Sequence, residues 1–116
     1  MKAALRTVDD HGHIWQGLTF WCPGCEVLVD GEAQRGLHML PVSGDSNGKP
    51  MWSWNGDLES VTLEPSILTR TTWAGVEHIC HSFLRNGVFE FLGDCTHTLV
   101  GQRVPLPDLP NWAARE

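Results

Sequence analysis

The sequence predicts a mainly β protein: a small antiparallel β domain with little helix and a zinc-knuckle or ribbon-like metal site. Three observations carry that expectation. Apolar segments are short and often alternate with polar residues. Trp, Phe, Val, Ile and Thr dominate them, as half-buried strands require. Gly, Asn and Asp turn chemistry separates them at short intervals, and no stretch keeps a long helical period.

In chain order the strand-like segments are Ile14–Trp15, Leu18–Trp21, Val27–Val29, Leu37–Val42, Met51–Trp54, Ser66–Thr71, Ile79–Leu84 and Val88–Leu92. Turn signals stand between them at Asp30-Gly31, Ser43 to Gly48, Asn55-Gly56-Asp57 and Arg85-Asn86-Gly87. Residues 1–12 are polar and are expected to fray or to pair at a sheet edge. The tail 104–116, with Pro105, Pro107 and Pro110, cannot feed a central strand and is expected to run over the surface. Residues 1–116 are therefore read as one domain with peripheral ends, a size that supports a single core.

Composition narrows the function classes. The chain is 41% hydrophobic and 19% charged, which marks it as globular. Its apolar runs are too short to span a membrane, and the start of the chain lacks the apolar core of a signal peptide. A cytoplasmic location is expected. Net charge is −6, with eight scattered Lys and Arg, so no basic face is available for a nucleic acid. A protein partner is expected instead.

Four cysteines in a reducing compartment read more readily as metal ligands than as disulfides. Cys22-Pro23-Gly24-Cys25 has the spacing of a metal knuckle. The second pair follows from a hairpin. Asn86-Gly87 favours a two-residue type I′ turn, which sets Arg85 against Val88, Phe83 against Glu90 and His81 against Leu92. Continued outward, the register sets Ile79 against Asp94 and His78 against Cys95. Cys80 and Cys95 then share one face, roughly 7 Å apart, within reach of one tetrahedral ion. The expected zinc ligands are Cys22, Cys25, Cys80 and Cys95, with His97 as the substitute. A bulge at Gly93 would flip the parity of everything beyond it.

The opposite face carries His81 and Asp94, close enough for a carboxylate to orient an imidazole. With His38, and with Glu64 as base, they are the candidates for catalysis. Trp52 and Trp54 offer a stacking platform for a base or sugar, against the plainer reading that they fill the core.

Phe20-Trp21-Cys22-Pro23-Gly24-Cys25, Leu37 to Val42, Trp52 to Gly56, Glu64-Pro65-Ser66-Ile67-Leu68, Cys80-His81-Ser82-Phe83 and Asp94-Cys95-Thr96-His97 follow one another in order. With these motifs the chain resembles a family of small phage and prophage proteins, often labelled "ammonia monooxygenase". The resemblance covers about residues 19–107. It implies a phage or prophage origin, a metal site, and neighbouring genes for ubiquitin-like conjugation. The oxygenase label does not fit, because so short a chain cannot supply the membrane subunits and copper ligands such an enzyme needs.

The leading expectation is a zinc-binding accessory protein that acts through protein–protein interaction in host-defence conflict. The alternatives are a zinc-dependent hydrolase built on the His/Asp cluster and a nucleotide-signal-binding protein using Trp52 and Trp54.

Overall fold

The alternating segments become ten strands in a computed structural model, which describes residues 1–114. They are β1 (Ala3–Asp10), β2 (His13–Trp21), β3 (Val27–Val29), β4 (Glu32–Gln34), β5 (Leu37–Gly44), β6 (Ser53–Trp54), β7 (Leu63–Trp73), β8 (Val76–Arg85), β9 (Val88–Phe91) and β10 (Arg103–Pro105). A single turn of helix, α1 (Asn111–Ala114), follows. The protein is mainly β and antiparallel, as the alternation predicts. No helix of the described residues is long and apolar enough to cross a membrane.

Two sheets form, one ordered β1-β2-β5 and the other β10-β9-β8-β7-β6, with β3-β4 as a separate ribbon. Leu18 and Phe20 of β2 meet Leu63, Ile67, Leu84, Phe89 and Phe91 of the larger sheet in one buried cluster. Phe20 and Phe89 are fully buried, with ring centroids 6.1 Å apart. This contact joins the sheets. Phe89→Ala is expected to cost about 3–5 kcal/mol, the usual range for an aromatic truncated in a core. Chemical denaturation would measure it as a lower midpoint with an unchanged slope.

The N-terminal segment is a full strand. Ala3 to Asp10 pairs along its whole length with β2, through a turn in which His11 and Gly12 take positive φ. The polar residues that made it look frayed alternate along a sheet edge. The tail forms the other kind of edge. Arg103–Pro105 pairs with β9, and Leu106 and Leu109 beyond it are buried, so the segment closes over the core as well as running across it. The last two residues of the tail lie outside the described residues.

The Asn86-Gly87 turn has positive φ at both residues, and the register it predicts holds from Ser82–Phe91 to Arg85–Val88. Beyond His81 and Leu92 it fails. A turn over Leu92–Cys95, closed by Cys95 N–H donating to Leu92 O, takes up two residues. Thr96, not Asp94, then faces Ile79, with Thr96 N–H donating to Ile79 O. That slip decides where Cys95 goes.

Candidate functional site

Metal-ligating chemistry gathers on the inner side of the larger sheet. The knuckle follows β2, and Cys25 N–H donates back to Cys22 O to close its turn. Gly24 fits there because it has no side chain. A Cβ on it would lie 2.6 Å from His97 Nε2 and 2.7 Å from Phe91. Across the β2–β5 pair, Phe20 stands opposite His38 and stacks on its ring at 5.5 Å. His38 is thus carried to the knuckle, where its Nε2 lies 3.3 Å from Cys25 Sγ. Cys22 Sγ lies 3.7 Å from Cys80 Sγ of β8, in the other sheet.

The ligand atoms of Cys22, Cys25 and His38 all lie within 4.8 Å of one another. Zinc bonds of about 2.3 Å to sulfur and 2.0 Å to nitrogen hold tetrahedral donors roughly 3.5–3.8 Å apart. The His38–Cys25 spacing of 3.3 Å and the Cys22–Cys80 spacing of 3.7 Å lie close to that range. The electrostatics point the same way. Cys25 and Cys80 hydrogen-bond to Cys22 and hold its thiol far below its ordinary value. That same Cys22 contact pushes Cys25 up to about 12 and Cys80 upward as well. Crowded thiols thus oppose one another's ionisation, and a divalent cation among them would favour the thiolate forms.

Cys95, expected as the fourth thiolate, is engaged elsewhere. The Leu92–Cys95 turn aims its Sγ at the backbone of His81, accepting from His81 N–H at 3.3 Å and donating to His81 O at 3.2 Å. His38, expected as a catalytic candidate, stands in the thiol cluster instead. His97 is close, but its Nδ1 accepts from Leu99 N–H, which leaves the proton on Nε2. Nε2 is buried without a partner among the described residues, and burial holds the imidazole below its usual range. Its Nε2 lies beside the knuckle, 2.6 Å from where a Cβ on Gly24 would stand.

The outer side of the same sheet holds a second constellation. Cys80 and His81 are consecutive in β8, so they point to opposite faces. His81 Nδ1 lies 3.0 Å from Asp94 Oδ2 and 3.2 Å from Oδ1. His81 Nε2 lies 3.1 Å from Ser66 Oγ. An ionised carboxylate only accepts, so Nδ1–H donates to Asp94 and Nε2 is left to accept the Ser66 hydroxyl. This is a serine, histidine and aspartate in series, the arrangement that turns a weak hydroxyl into a nucleophile.

Ser66 reaches His81 through a wide bulge. Leu63 pairs with Leu84 and Ile67 with Ser82, so Glu64, Pro65 and Ser66 stand opposite the single residue Phe83. Trp52 braces the bulge, donating from Nε1 to Ser66 O at 3.3 Å. Trp54 donates similarly to Asp57 O at 3.2 Å. Both rings are partly buried and pack against the core, as the plainer reading expects. Glu64 points to solvent and accepts from Arg85 at 3.4 Å, with no contact to either constellation. Glu64→Gln is expected to change stability by less than about 0.5 kcal/mol and activity by less than about twofold. A collapse of turnover would return Glu64 to the reaction.

Ser66 was not among the residues singled out from sequence. The signal that finds it is Ala74-Gly75, a two-residue turn with φ of 53° and 75°. That turn sets Leu68 opposite His81 and leaves Ser66 one step along the same face.

A family model described as "Bacterial ubiquitination-like system serine protease (BubE)" matches residues 2–92. No curated protein and no solved structure matches the chain. The match spans β1 to the end of β9 and takes in Ser66 and His81, and it agrees with the ubiquitin-like setting that the sequence motifs imply. The chain belongs to the BubE family of bacterial ubiquitination-like system serine proteases.

Proposed function

We propose that this protein is a serine peptidase acting on a protein of a ubiquitination-like system, with Ser66 as nucleophile, His81 as general base and Asp94 as the group that orients it. The observation that carries the reading is the continuous hydrogen-bonded series from Ser66 Oγ through His81 to Asp94. Ser66 Oγ attacks the scissile carbonyl while its proton passes to His81 Nε2. Asp94 stabilises the imidazolium, which then protonates the departing amine. Water enters, gives a proton to His81, and hydrolyses the acyl-Ser66 ester to regenerate the hydroxyl.

Zinc held by Cys22, Cys25, His38 and Cys80 would be structural. Four protein donors leave no open position, and the knuckle, β5 and β8 come from both sheets. The cluster faces away from Ser66, which argues against a zinc-dependent hydrolase. Reduced thiols of this kind suit a cytoplasmic setting. The motifs shared with phage and prophage proteins support a place in host-defence conflict, and the protein partner of that setting is the peptidase substrate.

The test is a fluorophosphonate probe, which labels serines activated by a neighbouring base. Mass spectrometry is expected to find one adduct per chain, on Ser66, and markedly slower labelling of the His81→Ala variant. A folded protein that takes up no probe at Ser66 would end the peptidase reading.

A further inference from the structure

The strand that carries Ser66 has an open side. β6 pairs with β7 only at Leu63 and Glu64, then turns away, with Trp52 N–H donating to Pro41 O of the other sheet. Past Ser66, no described strand lies on the outer edge of β7.

Which backbone groups face that edge follows from the Ala74-Gly75 turn. A two-residue hairpin closes on a doubly hydrogen-bonded pair, here Trp73 and Val76, and such pairs recur at every second position. Thr71, Thr69 and Ile67 therefore bond inward to β8, while Thr72, Arg70 and Leu68 direct their N–H and C=O outward. The neighbouring strand agrees. Ile79 and His81, opposite Arg70 and Leu68, spend their backbone groups on Thr96, Leu92 and Cys95 on the far side. Leu68, Arg70 and Thr72 are all exposed. Leu68 is 53% exposed and shares a face with Ser66 and His81.

We propose that the substrate of the Ser66 site is an extended chain segment that adds as a strand to the Leu68–Thr72 edge of β7, which brings its scissile carbonyl to Ser66. The inference rests on the peptidase reading above. Strand addition uses main-chain hydrogen bonds for affinity and leaves selectivity to alternate side chains. The recognised class is thus an unstructured tail or linker rather than a folded loop. The side chain nearest the cut on the catalytic face meets Leu68 and should be apolar.

The test compares two substrates of the full chain. p-Nitrophenyl acetate has no main chain to pair, whereas β-casein is unstructured and extended. Wild-type protein is expected to cleave both. Leu68→Pro removes one outward N–H without touching the ladder to β8. It is expected to lower kcat/KM for β-casein by about three- to tenfold more than that for the ester, as loss of one main-chain bond predicts. Leu68→Val keeps both the outward N–H and an apolar side chain, and should not separate the two substrates in this way. Equal effects of Leu68→Pro on both, or a wild-type protein that hydrolyses the ester but spares β-casein, would overturn strand addition. Loss of ester hydrolysis by the wild type would instead strike the peptidase reading itself. Where Leu68→Pro does not fold, amide exchange in the Ser66→Ala variant gives the same answer. Exchange across 68–72 should slow with excess β-casein, and unchanged rates refute the proposal.

Discussion

Ser66→Ala is expected to lower kcat/KM for peptide hydrolysis by about 10⁴-fold or more, with stability changed by less than about 1 kcal/mol. The asymmetry follows from the site. Ser66 is half-buried, and its hydroxyl meets His81 Nε2 on the outer face of the sheet, away from the core. Removing it leaves no cavity among core residues and no buried partner unpaired. His81→Ala should fall to a similar level, because the two residues act as one unit and their losses do not add. Asp94→Asn is the more informative variant. An amide at that position cannot fix Nδ1 as a donor, so Nε2 loses its standing as the acceptor for Ser66. Because the Asp94 side chain is 51% exposed, water screens part of its effect. A fall of about 10²–10⁴-fold, mainly in kcat, is expected. Steady-state kinetics on all three variants, with thermal melts as the fold control, checks the series. Full activity in Ser66→Ala would remove the nucleophile from the account.

Stripping the metal is expected to have the largest effect on stability. One zinc per chain should appear by elemental analysis, absent from Cys22→Ser and Cys80→Ser but retained in Cys95→Ser. That last variant separates the cluster found here from the four-cysteine set the sequence suggested. A ligand that binds only the folded state at a thousand times its dissociation constant contributes about 4 kcal/mol. A domain of this size shifts by about 3–6 °C per kcal/mol, so chelation should lower Tm by roughly 12–24 °C. A melt unmoved by chelation would mean that the thiol cluster holds no structural ion.

How much of this was legible in the residues depends on which turns announce themselves. Asn86-Gly87 is a turn that sequence reveals, and the His81–Asp94 contact follows from it even though the register later slips. Ala74-Gly75 hides its turn, because alanine at φ 53° is not a residue that turn chemistry singles out. Without it Ser66 and His81 stay unrelated. His38 was hidden differently. The β3–β4 ribbon, residues Val27–Gln34, separates the knuckle from β5, so the pairing of Phe20 with His38 spans an insertion that local reading cannot close. Cys95 was misplaced by two residues of turn. The fold class, by contrast, rests on alternation within each segment, which needs no long-range pairing to be seen.

Cys80 and His81 sit side by side on β8, one turned toward the thiol cluster and the other toward Ser66. An inhibitor panel would therefore sort this protein into two mechanistic groups at once. A serine-directed phosphonate would block it by occupying the nucleophile, and a chelator would silence it by loosening the strand that carries the base. Sensitivity to chelation, taken alone, would mislabel it a metallopeptidase.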